Sequence, residues 1–217
     1  MSTSMADSQV AIHPPDVHNP PIIFDLEQFM GTWHVTHSTL PLWKSRKDVT
    51  ITYTLKDTQS SPNTLQFDDI VEYRSKSDPP SSTRTRIPPP RTRYKWRGKG
   101  WLMVASSRWQ ILGCSSDTSP TAASAWALTY FEKTLFTPAG LDIYARTAHG
   151  LPDALVQDII NKAKALDGDV GSLAEKFFEV ERTLPATTGM SRIAKRDIDF
   201  LTSKLPEASN PENTLHI

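Results

Sequence analysis

The residues at positions 29–37 constrain the fold of this chain more than any other stretch. Gly31 stands two positions before Trp33, and from there large and polar side chains alternate. Alternation with a period of two predicts a β-strand with one buried face. The glycine lets the backbone bend closely beneath the strand, and the indole fills a large apolar space. We therefore expect a strand whose buried face carries Trp33, Val35 and His37.

Short runs of the same kind recur along the chain, separated by turn residues. Residues 49–55 alternate apolar and polar side chains, and residues 64–73 form another run of this type. Short adjacent strands favour an antiparallel, up-and-down sheet. Eight strand neighbourhoods are expected, at Trp33, Val49, Thr64, Tyr94, Trp101, Arg108, Ala125 and Leu141.

After the last of these strands the apolar period changes from two to that of a helix. Pro152 and Asp153 suit a helix N-terminus, and Lys162 and Lys164 suit its end. The apolar face between them needs a core to pack on, which the sheet supplies. Residues 172–180 are expected to form a helical turn that leads into a ninth strand.

The chain of 217 residues has the length of one large domain with tails. Residues 1–21 are small, polar and dotted with prolines, so we expect a disordered N-terminal tail. The barrel and its helix are expected over residues 22–181, and residues 182–217 are expected to be a mostly mobile C-terminal tail. Within the domain, residues 75–100 are rich in proline and basic residues. They are expected to form a long solvated loop without a central strand in its first two-thirds, with an anionic partner or substrate as the alternative.

Composition narrows the classes of protein that fit. Lys and Arg total 24 and Asp and Glu total 24, so the net charge of zero gives no general attraction to nucleic acid or acidic membranes. The sequence shows neither a secretory leader pattern nor an apolar run of membrane-spanning length. The single cysteine, Cys114, excludes an internal disulfide and a cysteine metal cluster. We expect a cytoplasmic protein without a membrane anchor, nucleic-acid partner or metal; the oligomeric state stays open.

The order of these features resembles the lipocalins of the calycin superfamily, and most of all the bacterial outer-membrane lipocalin and apolipoprotein D branch. Residues 29–55 carry the first part of the resemblance, where the Gly-x-Trp strand leads into the strand with Thr52-Tyr53. The Asp-Ile-Tyr-Ala-Arg-Thr motif at residues 142–147, followed by the helix, carries the second. The resemblance implies an all-β fold, an eight-stranded antiparallel up-and-down β-barrel with one C-terminal α-helix packed on it.

The resemblance also implies how the barrel closes. In lipocalins an arginine of the last strand lies across the tryptophan of the first strand and seals the floor. Arg146 and Trp33 match these positions, and Gly31 belongs to the same motif. A guanidinium stacked on an indole contributes about 0.5–2 kcal/mol.

Three features depart from the lipocalin pattern. The bacterial relatives are anchored through a lipidated N-terminal cysteine, and secreted relatives usually carry disulfides. Neither fits a chain whose single cysteine is Cys114. The loop at residues 75–100 is also longer and more basic than the family implies. The resemblance therefore predicts the fold of this chain better than it predicts its location or its ligand.

An eight-stranded barrel has an interior wide enough for side chains or one small ligand. Apolar walls with a few polar groups suit a small hydrophobic or amphipathic molecule. We therefore predict an intracellular lipocalin-like protein that binds such a molecule without a cofactor. The predicted ligand-binding residues are Val35, His37, Ile51, Tyr53, Phe67, Val71, Tyr73, Met103, Tyr130 and Tyr144.

An enzyme is the alternative, because calycin barrels also host isomerases and cyclases that confine a reactive hydrophobic substrate. A pericyclase-type cyclase or isomerase of small-molecule biosynthesis, as in secondary metabolism, would need positioning and one acid or base. The titratable candidates are His37, Asp69, Tyr53 and Tyr73.

A haem-binding barrel is a third interpretation. Its axial ligand would come from His34, His37 or His149, but the second glycine-rich element of haem-binding calycins is missing. The sequence also shows no nucleophile elbow, phosphate loop or dinucleotide fingerprint.

Overall fold

The structure, a computed structural model, describes residues 10–16, 25–56, 66–79, 81–87, 95–97, 101–103, 109–134 and 137–183. The chain divides into the units Met1–Thr183 and Leu184–Ile217, and all described residues belong to the first.

The described residues of this unit form ten strands and three α-helices, with a 3-10 helix at Pro41–Trp43. The strands are β1 (Gly31–Ser38), β2 (Arg46–Lys56), β3 (Gln66–Ser75), β4 (Thr85–Ile87), β5 (Lys95–Arg97), β6 (Trp101–Met103), β7 (Trp109–Cys114), β8 (Trp126–Phe131), β9 (Gly140–Ala145) and β10 (Phe178–Glu179). The helices are α1 (Leu26–Phe29), α2 (Asp153–Lys164) and α3 (Asp169–Ala174).

The strands form an antiparallel up-and-down sheet in the order β4-β3-β2-β1-β9-β8-β7, with β10 added beside β1. Strands β5 and β6 pair with each other in a separate hairpin. Cα atoms of β5 come within 8 Å of β3, and those of β6 come within 8 Å of β7. The hairpin therefore lies beside strands near both ends of the larger sheet. The predicted fold class, an all-β up-and-down barrel followed by a helix, is confirmed.

The first strand forms because its alternating side chains bury one face, but the alternation is interrupted once. Trp33 pairs with Ile51 of β2, and Val35 pairs with Tyr144 of β9. A β-bulge then inserts Thr36, so that the register against β9 shifts. Such a bulge moves every following side chain to the opposite face of the sheet.

The sheet buries apolar side chains on both faces. The inner face carries a mainly aromatic cluster that includes Phe29, Trp33, Tyr53, Phe67, Trp109 and Tyr144. The outer face carries Leu112, Trp126, Leu128, Leu141 and Ile143, which pack with the helices. Each strand from β7 to β9 is therefore buried on both sides, unlike the half-solvated strands of an open antiparallel sheet.

Helix α2 covers the outer face and begins and ends as the sequence predicts. Asp153 lies in its first turn, and Lys162 and Lys164 lie in its last, each charge complementing the helix dipole. Val156 and Ile159 are among its buried residues. The predicted turn and ninth strand after it are also present, as α3 and β10. Among the described residues, no helix has the length and apolar character needed to cross a membrane.

Residues 10–16 differ from the predicted disordered tail. Val10 is 4% exposed within the outer apolar cluster, and its carbonyl accepts a hydrogen bond from Lys162 Nζ at 2.6 Å. His13 N donates to Leu112 O at 2.9 Å, and Asp16 exchanges two hydrogen bonds with the Gln110 side chain. The segment is ordered because it covers apolar surface left open beside β7, which local composition does not show. The other residues of the range 1–21 lie outside the described part of the chain.

The proline-rich region contains the short strand β4, which lies between Pro79-Pro80 and Pro88-Pro89-Pro90 and pairs with β3. Because β4 is last in the sheet order, it does not contradict the expectation that no central strand forms there. The expected mobile tail starts too early, since Arg182 donates to the carbonyls of Ala148 and Thr36. Thr183 donates from its backbone N and its hydroxyl to Asp48. The rest of the tail lies outside the described residues.

Candidate functional site

One end of the barrel is sealed by the side chains of Trp33 and Arg146. The Trp33 side chain is 0% exposed, and its Nε1 donates to Phe29 O at 2.9 Å. The guanidinium carbon of Arg146 lies 3.7 Å from the centre of a Trp33 ring. The structure therefore brings these two predicted barrel-closure residues into direct stacking contact.

The Arg146 guanidinium also ties three chain segments together at this end. It donates to Gln28 O at 2.7 Å, to Thr32 O at 3.1 Å and, through Nε, to Thr118 O at 2.9 Å. Burial lowers the pKa of Arg146 to about 10, which leaves it positively charged at neutral pH. Gly31 has a φ of +94°, which a residue with a side chain rarely adopts, and a Cβ there would lie 3.5 Å from Arg146 Nη1.

Above this floor the inner face is lined by aromatic rings. Phe29 lies 4.9 Å from Trp33 and 5.4 Å from Tyr53, measured between ring centres. Tyr53 in turn lies 5.7 Å from both Phe67 and Trp109. These separations are typical of favourable aromatic pairs, so the rings form one continuous apolar surface.

A small number of polar groups interrupt the apolar lining. Tyr53 stands directly opposite Asp69, and Tyr144 lies on the same strand face as Asp142. Burial raises the pKa of both tyrosines well above the ordinary value, so both phenols stay protonated. The hydroxyls of Tyr53 and Thr129 neighbour that of Tyr144, yet the Tyr144 hydroxyl completes no hydrogen bond with either.

The Asp142 carboxyl is the most deeply buried acid near this lining, at 0% exposure. Its Oδ1 accepts a hydrogen bond from Ser38 Oγ at 2.5 Å, and its Oδ2 accepts one from Trp43 Nε1 at 3.3 Å. Burial raises the pKa of Asp142 to about 7, although both hydrogen bonds act in the opposite direction. This carboxyl can therefore gain or lose a proton near neutral pH.

At the end of the barrel away from Trp33, some inner side chains, Val71 and Tyr73 among them, are only half-buried. Arg46 begins β2, and its guanidinium carbon lies 4.0 Å from the ring centre of Tyr73 and 5.4 Å from that of Trp43. Trp43 itself is buried and belongs to the 3-10 helix, which covers part of this end. The positive charge of Arg46 therefore lies against the aromatic faces of Tyr73 and Trp43 at the rim of the barrel.

Most of the predicted site residues lie on the inner face. Val35, Ile51, Tyr53, Phe67 and Tyr144 are buried there, and Val71 and Tyr73 are half-buried against the same cluster. Asp69 shares this face because it pairs with Tyr53. The backbone of Met103 belongs to β6, and its side chain lies outside the described residues.

His37 does not lie where the alternation predicts. It pairs with Ile143, a residue of the outer cluster, because the bulge at Thr36 reverses the faces of the strand. Burial, and secondarily the positive charge of Arg182, lowers the pKa of His37. His37 is therefore neither a lining residue nor an acid–base candidate for the interior. His34 also points away from the face of Trp33, which leaves neither histidine placed to hold a haem inside the barrel.

Tyr130 also lies on the outer face, in the cluster with Leu128 and Trp126. The inward-facing positions of β8 are Ala127, Thr129 and Phe131 instead. Because helices cover the outside of this strand, both of its faces are apolar, and the alternation that separates inside from outside is lost.

Four residues of the site were missed by sequence reasoning: Arg46, Trp109, Thr129 and Asp142. Asp142 carried the clearest signal, since a lone acid inside the apolar strand Gly140–Ala145 must be hydrogen-bonded or protonated when buried. Trp109 lay in a predicted strand neighbourhood, whose inner face could not be assigned. Nothing in the local sequence marks Arg46 as a rim residue, because its partners Trp43 and Tyr73 come from other elements.

An up-and-down antiparallel sheet, a Trp–Arg floor at the first and last long strands, and a helix packed on the outside together define the lipocalin fold. No family model matches the chain, and no curated protein matches it.

The chain is similar to several solved structures at low sequence identity. Insecticyanin from the tobacco hornworm Manduca sexta is 16% identical, over 83% of this chain and 92% of that chain, with a TM-score of 0.47. The siderocalin Ex-FABP, described as functioning through dual ligand specificities, is 12% identical over 73% of this chain and 97% of that chain, with a TM-score of 0.45. Lobster apocrustacyanin A1 is 13% identical over 74% and 81%, with a TM-score of 0.42. Membership of the calycin superfamily and the branch within it both stay predictions.

Proposed function

We propose that the protein binds a small hydrophobic or amphipathic molecule inside the barrel. The observation that carries this proposal is that some inner side chains away from the floor stay half-buried, although most of the inner cluster is buried. Trp33 and Phe29 at the floor are 0% and 1% exposed, whereas Val71 and Tyr73 toward the other end remain half-buried. An aromatic interior that is closed at one end and accessible at the other suits a ligand that enters from the rim.

The rim favours a ligand that is not purely apolar. The Arg46 guanidinium offers N–H donors beside the aromatic rings of Trp43 and Tyr73, so an amphipathic molecule could keep its polar end there. The apolar body would then contact Tyr53, Phe67 and Trp109 deeper in the barrel.

A filled-barrel variant tests the proposal. Val71→Trp places a bulky ring on the inner face, whereas Ile70→Trp, one position earlier, places it on the other face of the same strand. Binding of 1-anilinonaphthalene-8-sulfonate, followed by its fluorescence, should weaken at least about tenfold in the Val71 variant and stay unchanged in the Ile70 variant. Equal binding by the two variants would contradict a ligand site inside the barrel.

The identity of the natural ligand needs a separate measurement. Native mass spectrometry of the purified protein should show one co-purifying small molecule, which Val71→Trp should displace.

An isomerase or cyclase remains the second candidate function, and Asp142 favours it. A carboxyl whose pKa is raised to about 7 can act as an acid and as a base at neutral pH. Asp142→Asn should then keep ligand binding and slow conversion of the co-purified compound or its precursor by about 10²–10⁴-fold. Asp158→Asn on the exposed side of α2 is the matched control. If the wild-type protein converts neither compound, the enzyme interpretation fails and binding alone remains.

The cytoplasmic location also stays a prediction. It agrees with the half-buried state of Cys114, whose pKa burial raises to about 11, so that the thiol stays protonated and unreactive. Cell fractionation with an antibody against the chain would test it.

A further inference from the structure

The hydroxyl of Tyr144 is a buried hydrogen-bond donor that the protein itself does not use. The residue is 0% exposed on the inner face, with its ring 6.3 Å from that of Trp33. Its oxygen has no hydrogen-bond partner. Buried hydroxyls are nearly always paired, because leaving one unpaired after removal from water is unfavourable. An unpaired one facing a ligand site therefore points to a missing partner.

The polar groups nearest to Tyr144 are already engaged or wrongly placed. Thr129 Oγ1 donates to Asp142 O at 3.3 Å. The Asp142 carboxyl accepts from Ser38 and Trp43, one hydrogen bond at each oxygen. The Tyr53 hydroxyl lies near that of Tyr144, but no hydrogen bond of normal geometry joins the Tyr144 hydroxyl to a protein group.

The chemistry of the surroundings limits what the missing partner can be. A neutral phenol that stays protonated donates one strong hydrogen bond, so its partner must offer an acceptor oxygen or nitrogen. The carboxyls of Asp69 and Asp142 lie near enough to raise the pKa of Tyr144, and their negative charge would repel an anionic partner. A neutral acceptor surrounded by apolar atoms fits this position.

We propose that Tyr144 donates a hydrogen bond to a carbonyl oxygen of an otherwise apolar ligand. The inference rests on the proposed function, since it names the chemical group that the interior of the barrel recognises. The ligand carbonyl would then lie beside Trp33 at the floor, whereas the Arg46 guanidinium lies at the opposite end of the barrel. The class of ligand is an aromatic or polyene ketone, aldehyde or quinone.

The test compares two compounds of the same shape. In 2-isopropenylnaphthalene a CH₂ group replaces the carbonyl oxygen of 2-acetylnaphthalene. Affinities are measured by displacement of 1-anilinonaphthalene-8-sulfonate from the wild type, Tyr144→Phe and Tyr130→Phe. Tyr130 is the matched control, because its ring lies on the outer face. Tyr144→Phe should weaken binding of the ketone about five- to tenfold and leave binding of the hydrocarbon unchanged. Tyr130→Phe should change neither.

A second measurement separates ligand recognition from a structural role. Because the Tyr144 hydroxyl has no partner in the protein, Tyr144→Phe should melt at the same temperature as the ligand-free wild type or above it. A lower melting temperature would show that the hydroxyl serves the fold, and would overturn the inference. The same ketone preference in Tyr144→Phe and the wild type would also overturn it, while leaving the barrel as a binding site. If the wild type binds neither compound, the proposed function fails, and this inference fails with it.

Discussion

Arg146 and Trp33 form a stacked pair in which the guanidinium carbon lies 3.7 Å from the centre of an indole ring. The two residues come from β1 and from the position after β9, so one contact joins the first long strand to the last. The same guanidinium reaches the carbonyl of Gln28 in α1. The pair therefore holds the neighbouring strands β1 and β9 together with the chain that enters the barrel.

Removing either member of this pair should destabilise the protein. Trp33→Ala should cost about 3–5 kcal/mol of unfolding free energy, because a large buried side chain is lost. Arg146→Ala should cost less, and the double variant should lose about 1–2 kcal/mol less than the sum of the single losses. Urea unfolding of all four proteins measures the coupling. Strictly additive losses would mean that the stacking contributes nothing.

The stability of the protein should depend on pH through Asp142. Burial raises the pKa of this carboxyl to about 7 in the folded state, against about 3.9 in the unfolded chain. The folded state thus holds the proton more tightly, and this contribution to stability is lost as the pH rises from about 4 to 7. Asp142→Asn resembles the protonated form at every pH. It should raise the unfolding free energy by about 1–3 kcal/mol at pH 8 and change it little at pH 5.

Urea unfolding at the two pH values checks this, with Asp158→Asn as the control. Asp158 is well exposed and pairs with Lys162 on α2. A loss of stability at pH 8 in the Asp142 variant would show that its hydrogen bonds with Ser38 and Trp43 outweigh the cost of burying its charge.

The Asp48 side chain should also make stability depend on pH, but in the opposite direction to Asp142. It accepts hydrogen bonds from Arg74 Nη1 at 2.8 Å and from both the backbone and the hydroxyl of Thr183. Although burial acts in the other direction, these hydrogen bonds lower the pKa of Asp48. Its contribution to stability is therefore present at neutral pH and is lost as the pH falls through the lowered pKa. Asp48→Ala should destabilise by about 1–3 kcal/mol at pH 7.

The effect of Asp48→Ala should shrink in urea unfolding as the pH is lowered from 7 into the acid range, because the wild-type carboxylate then takes up a proton. Asp158→Ala again provides the comparison, since an exposed helical ion pair contributes about 0.3–0.5 kcal/mol. An equal loss of unfolding free energy in the two variants would mean that Asp48 contributes no more than an ordinary surface charge.

Residues 10–16 should contribute to stability although they precede the barrel. Deletion of residues 1–16 removes the buried Val10 and the hydrogen bonds to Leu112, Gln110 and Lys162. We expect a loss of about 2–4 kcal/mol from apolar burial and unpaired polar groups. Deletion of residues 1–9 is the control, and differential scanning calorimetry compares the two.

A point substitution offers an independent check on the same segment. A Cβ at Gly113 would lie 2.5 Å from Ala11 O, so Gly113→Ala should push the segment away from β7. The backbone amides of His13 and Asp16, which donate to Leu112 O and to the Gln110 side chain, should then exchange their hydrogens faster. An unchanged exchange rate would contradict the close approach.

The sequence predicted which strands and helices form better than it predicted the face of the sheet on which each side chain lies. The Gly-x-Trp strand, the meander and the helix at residues 153–164 follow from local periodicity, which a single strand or helix carries within itself. His37 shows the limit of this reasoning. One inserted residue, Thr36, reverses the faces beyond it, and the bulge depends on pairing with β9, more than a hundred residues later in the chain.

The candidate site was predicted most clearly where one face of a strand is polar. Ile51 and Tyr53 lie on the inner face as expected, because β2 alternates clearly. Tyr130 was misplaced because the helices bury the outside of β8 as well. Asp142 acquires its raised pKa from burial and from partners on other elements, none of which is encoded near it in the sequence.

The position of residues 10–16 has a consequence for how the chain folds. Their partners Gln110 and Lys162 follow 94 and 152 residues later, so the contacts are among the least local in the molecule. Contacts of such long sequence separation form slowly, since a large loop must close before they are gained. During synthesis, residues 10–16 must wait until α2, which carries Lys162, has been made. This segment is therefore among the last parts of the described fold to reach its native place.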